Sequence, residues 1–436
     1  MAQYLITKKI KTTELCIGMY VTSLDVPWSA TEFPLRGVLI KSSLDIAKIA
    51  RYGNHVTIDQ NKSHSSEAVK KLTLTKSMTT TRANPKNIWR KLCTENYMLE
   101  ITIAKQLKSA ENLLVRVHDV FEELKKDLFS VEQHSVENIK IVSYGIVSSL
   151  LENPDALLWL TRVKIQQRRI YDHTVRCAIW ATLMGRSMGL KQSSLNTMIE
   201  AILLSGIGKA YLSRSTWKNH HPAEMKPEFA IAVNTTLEKL THCHVEQSVL
   251  TIIANMNERY DGSGYPGRNL RDRTPYLAQI AGLVETFDLL LNPMLCRKRR
   301  AFGQALSKLY CFRDSLFNAV LIEEFIIATG LYPAGTIVML SNGCRGVVIE
   351  QTKDRRIRAT VAITHDVRDY RLPRYEIAQL GHGKYQDITI KQEANLHQIS
   401  EDDMKKINGL VSQYQQGVMT NLFTSTKNLF SSSNFN

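Results

Sequence analysis

A helical repeat of hydrophobic positions dominates the middle of the chain, from about residue 95 to residue 330. Its first clear example places Leu113, Val117 and Leu124 on one face, with the 3.6-residue period of an amphipathic helix. A later helix is expected to start at Asn153-Pro154-Asp155, because Asn caps helices and Pro is favoured in the first turn. Gly330 is the expected stop of the last helix. This part of the chain predicts a helical bundle.

Hydrophobic positions alternate with a period of two at both ends of the chain. Near the N-terminus, short strand candidates flank a predicted helix from Ser43 to Arg51, with Ser43 as its cap. Beyond residue 333 the alternation returns, and Asn342-Gly343 predicts the turn of a hairpin. The N-terminal strand candidates are residues 20–21, 38–40 and 55–58.

The fold class predicted by these patterns is mainly α, with a small mixed α/β domain before the bundle and a small β unit after it. Ser, Thr, Lys and Asn dominate residues 63–87, which indicates a flexible linker. The predicted divisions are an α/β domain at 1–62, a linker at 63–94, a helical entry region at 95–165, a helical core at 166–330, a β extension at 331–395, and a helix plus disordered tail at 396–436.

The composition narrows the class of partner only slightly. The formal net charge of +15 over 436 residues favours anionic partners, but the basic residues are dispersed, so nucleic-acid binding is a distant alternative. The seven cysteines are odd in number and form no Cys-x-x-Cys pair, which argues against a disulfide framework. The sequence shows no secretory signal and no apolar run of transmembrane length, so we expect a cytoplasmic protein.

The most specific motif is residues 256–266, Met-Asn-Glu-Arg-Tyr-Asp-Gly-Ser-Gly-Tyr-Pro. It resembles the HD-GYP signature His-His-Glu-Arg-Trp-Asp-Gly-Ser-Gly-Tyr-Pro. Residues 203–209, Leu-Leu-Ser-Gly-Ile-Gly-Lys, look like that family's Leu-His-Asp-Ile-Gly-Lys, and residues 284–290 look like its Ala-Asp-Val-Phe-Asp-Ala-Leu. The segment around 16–21 resembles the domain of unknown function that often precedes HD-GYP domains. The resemblance covers about residues 1 to 380 and implies an HD-type helical bundle in which 166–330 is the HD-GYP core.

The resemblance also implies a chemistry. Members of the family generally hydrolyse cyclic di-GMP at a centre of two or three metal ions, usually iron or manganese. Such a centre needs His and carboxylate ligands that hold the metals close together, so that a bridging hydroxide can attack phosphorus.

Matched residue by residue, most of those ligands are absent. The histidine of the entry helix matches His173, and the final aspartate falls on Glu285. A glutamate four residues before the histidine falls on Arg169, and a further histidine falls near Asn234. The remaining degenerate positions are Ser205 and Gly206 for the His-Asp pair, and Met256 and Asn257 for the paired histidines. Two ligands are fewer than the three that a catalytic metal usually needs, so no cofactor is expected; iron or manganese would be present only if the residual site is active.

Three basic residues could still bind an anionic ligand. Lys209 keeps the family's lysine, and Arg297 falls where the family has a phosphate-contacting lysine. Arg169 could replace the metal as a fixed positive charge, with Glu285 as its partner. A basic surface explains Arg297 equally well, and Lys209 could simply line the cavity.

The Asp-Gly-Ser-Gly-Tyr-Pro loop is intact beside the degraded ligand set. In the family that the sequence resembles, this loop is associated with binding of GGDEF-domain diguanylate cyclases. The predicted partner-binding residues are Asp261, Gly262, Gly264, Tyr265 and Pro266. A tight turn would also need Gly and Pro regardless of function.

The sequence therefore leaves three functions open. The first is a catalytically inactive regulator or adaptor in cyclic di-GMP signalling, which binds a protein partner through the loop. The second is an active or residual cyclic di-GMP phosphodiesterase with unorthodox ligands. The third is a receptor that binds cyclic di-GMP through Arg169, Lys209 and Arg297 without hydrolysing it.

Overall fold

The structure of the protein is a computed structural model, in which the chain divides into two compact units, Met1–Asn87 and Ile88–Asn436. The residues that it describes are 7–26, 31, 33, 37–40, 42–59, 93–99, 101–126, 131–164, 170–218, 227–265, 267, 273–294, 300–351, 359–394, 402–403 and 405–411. Most of the predicted linker and of the predicted C-terminal tail lies outside these residues.

The described residues of the first unit form a four-stranded antiparallel sheet with one α-helix and a short 3₁₀ turn. The strand order is β1-β4-β2-β3, so the first and last strands of the unit are hydrogen-bonded neighbours. Its hydrophobic core includes Val21, Ile49 and Ile58, each at most 1% exposed. The elements are β1 (Thr7–Lys11), β2 (Tyr20–Leu24), β3 (Val38–Leu39), α1 (Ser43–Ala50) and β4 (His55–Asp59).

The cap of α1 is Ser42, so the expectation of Ser43 was wrong by one residue. The Ser42 hydroxyl accepts a hydrogen bond from the backbone N–H of Asp45 at 3.3 Å. The Asp45 carboxylate accepts in return from the backbone N–H of Ser42 at 2.9 Å, which completes a capping box. With two successive serines in the sequence, the aspartate three residues after Ser42 decides which of them caps.

The second unit begins with a helical bundle, as the 3.6-residue period predicts. Asn153 caps the third of its helices, because its Oδ1 accepts from the backbone N–H groups of Asp155 and Ala156. Gly330 ends the last one with a φ of 67°, which confirms that stop. The helices are α2 (Ile103–Lys126), α3 (Gln133–Glu152), α4 (Pro154–Lys164), α5 (Ile170–Met188), α6 (Gln192–Leu204), α7 (Gly206–Lys209), α8 (Arg214–Lys218), α9 (Pro227–Lys239), α10 (Gln247–Asn255), α11 (Tyr276–Leu291), α12 (Phe302–Tyr310) and α13 (Ala319–Thr329).

Helix α11 lies at the centre of this bundle and is buried on nearly every face. On one side its Phe287 packs edge-on against Trp180 of α5, with ring centroids 5.6 Å apart, and against Phe325 of α13 at 4.7 Å. A helix that is hydrophobic all round belongs in the core. Its charged residues are therefore unusual and mark the candidate site.

A five-stranded antiparallel sheet follows the bundle, in the order β8-β7-β6-β5-β9. The predicted turn at Asn342-Gly343 is present, with Gly343 at a φ of 87° between β5 and β6. The sheet contacts the bundle through Glu393, whose carboxylate accepts from the first backbone N–H of α12 at 2.7 Å. The strands are β5 (Ile337–Leu340), β6 (Arg345–Gln351), β7 (Ala359–His365), β8 (Arg371–Gln379) and β9 (Ile390–Glu393).

Helical residues at 405–411 also pack onto the bundle. Ile407 is fully buried, and the Asn408 Oδ1 accepts a hydrogen bond from the indole N–H of Trp159 at 3.1 Å. None of the helices described above is long and apolar enough to cross a lipid bilayer.

Candidate functional site

Two helices bring four ionisable side chains face to face inside the bundle. His173 and Arg176 stand one helical turn apart on α5, and Glu285 and Asp288 stand one turn apart on α11. None of the four is more than 5% exposed. Such groups are rarely buried unless they are paired, so their partners define the chemistry of the site.

Asp288 is a fully paired carboxylate. Arg176 donates from Nε to Oδ1 at 2.9 Å and from Nη2 to Oδ2 at 2.9 Å, the two-pronged geometry that a guanidinium makes with a carboxylate. His173 Nδ1 lies 2.7 Å from Oδ2, and the Asn292 side chain donates to Oδ1 at 2.8 Å. Asp288 therefore fixes both the imidazole and the guanidinium.

Glu285 is paired with a lysine. The Nζ atom of Lys209, on the short helix α7, lies 2.8 Å from Glu285 Oε1. The same Nζ donates to the hydroxyl of Ser205 at 3.0 Å, and His173 Nε2 lies 3.9 Å from Oε1. Glu285 Oε2 accepts no hydrogen bond from the residues that the structure describes.

The charges follow from these contacts. Burial alone would raise the pKa of both carboxyls, but Lys209 and His173 hold the pKa of Glu285 well below its usual range, and Arg176 and His173 do the same for Asp288. Burial likewise opposes a proton on His173, but the Cys177 sulfur and the two carboxylates outweigh it and raise the pKa of His173 well above 6.5. Near neutral pH the cluster therefore contains two carboxylates and three cations.

The four degenerate positions offer no imidazole or carboxylate. Ser205 is buried, and its hydroxyl donates to the carbonyl of Ile202 at 2.6 Å. A Cβ at Gly206 would lie 3.1 Å from the Cγ2 of Thr174, so the side chains around Gly206 leave little room there. Met256 and Asn257 are 1% and 2% exposed. Asn234 lies on α9.

Three predicted site residues, Arg169, Arg297 and Pro266, lie outside the described residues. The hypothesis that Arg169 pairs with Glu285 thus stays a prediction, and the cation that the structure places on Glu285 is Lys209. Lys209 is 4% exposed. Its ammonium is directed at Glu285 and Ser205, so a phosphate could reach it only by breaking that ion pair.

The residues in this cluster do not fit the metal centre that the resemblance implies. His173, Cys177 and Asp288 bring potential ligand atoms within 4.8 Å of one another. However, Asp288 already accepts the hydrogen bonds of Arg176, and a metal there would meet a fixed guanidinium charge. Lys209 likewise occupies Glu285. Burial raises the pKa of the Cys177 thiol, which disfavours the thiolate that a metal would need.

The conformation of the Asp-Gly-Ser-Gly-Tyr loop is fixed by backbone hydrogen bonds and close backbone contacts. Gly262 has a φ of 80°, and the Tyr265 N–H donates to the carbonyl of Asn257 at 3.1 Å. A Cβ on Gly264 would lie 2.4 Å from the backbone nitrogen of Arg259, so only glycine fits there. The tip of the loop faces solvent at Asp261 and Ser263, and Tyr265 is half-buried.

Arg259 is a buried residue beside this loop. Its Nη1 donates to the carbonyl of Glu258 at 3.1 Å, and its guanidinium lies 5.0 Å from the centre of the Phe317 ring. Burial lowers the pKa of Arg259 to about 10, with the nearby Glu285 acting in the opposite direction. Arg259 is therefore charged near neutral pH.

Sequence reasoning missed Arg176, Asp288 and Asn292 as site residues. A signal was present, because Arg176 and Asp288 each lie three residues after a residue that was singled out, His173 and Glu285. Residues at that spacing share a helix face, so a charged residue there points into the same buried space.

Comparisons with known proteins agree with the fold. Residues 162–318 match the family described as HD domain, and residues 7–139 match the family described as Domain of unknown function (DUF3391). The fold and the site thus define an HD-domain protein with a DUF3391 region at its N-terminus.

The chain is also similar to three proteins that are named as cyclic-dinucleotide phosphodiesterases. The chain is 24% identical over 359 residues to the Pseudomonas aeruginosa protein named cyclic di-GMP phosphodiesterase PA4108, covering 79% of this chain and 82% of that protein. A Vibrio cholerae protein named 3'3'-cGAMP-specific phosphodiesterase 2 is 25% identical over 41% of this chain and 35% of its own length. The Xanthomonas campestris response regulator RpfG, named a cyclic di-GMP phosphodiesterase, is 33% identical over 16% and 18%. The Asp-Gly-Ser-Gly-Tyr-Pro loop, the HD-domain match and these relatives are consistent with the HD-GYP family.

Proposed function

We propose that this protein is a non-hydrolysing regulator in cyclic di-GMP signalling, derived from a phosphodiesterase scaffold. The observation that carries the proposal is the pairing of both buried carboxylates with protein cations, Lys209 on Glu285 and Arg176 on Asp288. The ligand positions at residues 205, 206, 256 and 257 add no replacement donor of the right type.

The loss of activity follows from the chemistry of phosphodiester hydrolysis. In the family the bound metals lower the pKa of water to generate hydroxide and neutralise the charge that develops on phosphorus. Here the same buried space holds an ammonium, a guanidinium and an imidazolium that are paired with two carboxylates. Among the described residues of this cluster, each carboxylate already has a protein cation as its partner.

The exposed tip of the Asp-Gly-Ser-Gly-Tyr loop is the proposed contact for a protein partner. Its backbone is fixed by internal hydrogen bonds, so Asp261, Ser263 and Tyr265 are presented in one arrangement at low entropic cost. The family relationship makes a GGDEF-domain diguanylate cyclase the proposed partner. The described cysteines are all free thiols, which suits a reducing cytoplasm for this regulator.

One set of measurements tests the loss of activity. The purified chain is assayed for bound iron and manganese and for cyclic di-GMP hydrolysis with each metal added, with the Pseudomonas relative as positive control. We expect less than about a tenth of an equivalent of metal and no turnover above buffer. Turnover that depends on manganese or iron would overturn the proposal and restore the phosphodiesterase alternative.

Calorimetric titration with cyclic di-GMP separates a regulator from a receptor. The receptor alternative relies on Arg169, Lys209 and Arg297, of which the structure describes Lys209 alone and places it in an ion pair. We therefore expect no heat of binding at micromolar nucleotide. Binding without turnover would select the receptor instead.

A pull-down with a GGDEF-domain cyclase tests the loop. We expect Asp261→Ala and Tyr265→Ala to lower the recovered partner at least fivefold relative to the unsubstituted chain. The matched control is Tyr370→Ala, since Tyr370 is a tyrosine that is 69% exposed on the turn between β7 and β8. Equal loss in all three variants, or no loss in any, would contradict the proposed face.

A further inference from the structure

Glu285 occupies a position where a carboxylate cannot stay charged without a cation. It is 4% exposed, near the middle of the central helix α11. An ionised carboxylate buried without a partner is so costly that it normally takes up a proton instead. Lys209 supplies a cation to Glu285: its Nζ lies 2.8 Å from Oε1.

The Lys209 ammonium has a second contact, with Ser205. Ser205 stands four residues before Lys209, one turn back on the same helical face. Its hydroxyl accepts a hydrogen bond from the Lys209 ammonium at 3.0 Å. In the metal-binding pattern this position carries a histidine. The serine therefore removes a metal ligand and, in the same change, provides an acceptor for the lysine.

We propose that the ammonium of Lys209 is the permanent resident cation of this centre, and that Ser205, Lys209 and Glu285 form a structural unit in place of the family's metal. This inference rests on the proposed function only in requiring that Glu285 carries no metal. The unit satisfies one carboxylate with one ammonium, and Arg176 with His173 satisfies the other. A metal bound at Glu285 would have to displace Lys209 and leave a buried ammonium unpaired.

The consequence is a stability signature that a metal centre would not have. Removing one partner of a buried ion pair leaves an uncompensated charge and is strongly destabilising, but removing both partners is often nearly neutral. The stability of the fold should thus depend on Lys209 and Glu285 jointly. It should not depend on added manganese, iron or a chelator.

The experiment measures the melting temperature of the full chain in Lys209→Met, Glu285→Gln and the variant with both substitutions. We expect each single substitution to lower it by about 5–15 °C, and the double variant to recover more than half of the larger loss. The matched control is Lys140→Met. Lys140 makes a similar pair with Glu246 at 3.2 Å, but at the surface, so the control should shift by no more than about 2 °C.

The outcomes separate this inference from the proposed function. Additive losses in the double variant would overturn the inference, and so would a Lys209→Met variant as stable as the control. If Lys209→Met yields no folded protein, recovery of folded protein in the double variant supports the inference and continued failure contradicts it. A melting temperature of the unsubstituted chain that rises with manganese would instead contradict the proposed function, because it would show a metal bound to the folded chain.

Discussion

Arg176 of α5 and Asp288 of α11 are joined by three hydrogen bonds between 2.9 and 3.1 Å, with both residues almost entirely buried. The pair joins two helices that pack side by side in the bundle. Because His173 shares the same carboxylate at 2.7 Å, the pair also fixes the histidine that would otherwise be the best metal ligand of the site.

We expect Arg176→Met to lower the free energy of unfolding by about 3–5 kcal/mol, because Asp288 would keep a buried charge with one cation instead of two. Urea titration followed by circular dichroism measures this loss. The exposed pair of Lys140 and Glu246 provides the control, and Lys140→Met is expected to cost about 0–1 kcal/mol. Equal losses in the two variants would mean that Arg176 contributes no more than a surface residue.

The free energy of unfolding of the chain should fall as pH rises, because of His173. Its pKa is raised in the folded chain, so the folded chain keeps a proton that the unfolded chain releases near pH 6.5. The contribution of His173 is thus complete below pH 6.5 and is lost as pH rises through the folded pKa, by at most about 1.4 kcal/mol per pH unit. Glu285 and Asp288 have lowered pKa values, so their contributions are present above about pH 4.5 and are lost at acid pH.

Urea titrations between pH 5.5 and 8.5 on the unsubstituted chain and His173→Gln test this dependence. We expect the difference in free energy of unfolding between the two to shrink as pH rises. Two curves that run parallel across the whole range would show that His173 carries no extra proton in the folded state.

Gly264 should matter for the stability of the fold. A Cβ there would lie 2.4 Å from the Arg259 nitrogen and 2.5 Å from the Asn257 oxygen, and these backbone atoms cannot move aside cheaply. We expect Gly264→Ala to lower the free energy of unfolding by about 1–3 kcal/mol or more. Ser263→Ala, at an exposed neighbour, should stay within about 0.5 kcal/mol. If the two variants unfold alike, the glycine is retained for a reason other than space.

Most of the fold could be predicted because its local signals agree with its packing. The cap at Asn153, the stop at Gly330 and the turn at Asn342-Gly343 each depend on a few adjacent residues, and the structure confirms all three. Strand β1 was missed because its sequence, Thr-Lys-Lys-Ile-Lys, has little hydrophobic alternation. It is an edge strand, and edge strands often carry lysines and show little alternation of hydrophobic and polar residues.

The candidate site could be predicted only in part. The motifs indicate which ligands are replaced at positions 205, 206, 256 and 257, because these positions fall within recognisable strings. The pairing of Lys209 with Glu285 could not be read in the same way, since the two residues lie on different helices and meet only through the packing of α7 near α11. Arg169 was predicted for that role because the family's glutamate falls on it, and this stays a prediction because Arg169 lies outside the described residues.

Restoring four of the missing ligands should give the chain a metal-binding site. Ser205→His, Gly206→Asp, Met256→His and Asn257→His in one chain would add four ligand side chains to His173 and Glu285. This exceeds the three protein ligands that a catalytic site usually has. The new Cβ at position 206 would lie 3.1 Å from the Cγ2 of Thr174, so that side chain has to shift by a few tenths of an ångström. We expect the purified variant to hold about one equivalent or more of manganese or iron by mass spectrometry.

The matched control for this restoration carries Gln at positions 205, 256 and 257 and Asn at 206, which keeps the approximate size without the ligand chemistry. It should hold no more metal than the unsubstituted chain. Manganese at about 100 times its dissociation constant should stabilise the restored variant by about 2.7 kcal/mol and leave the control unchanged. If the restored variant folds but takes up no metal, ligands at these four positions are not sufficient for metal binding, and the prediction is wrong.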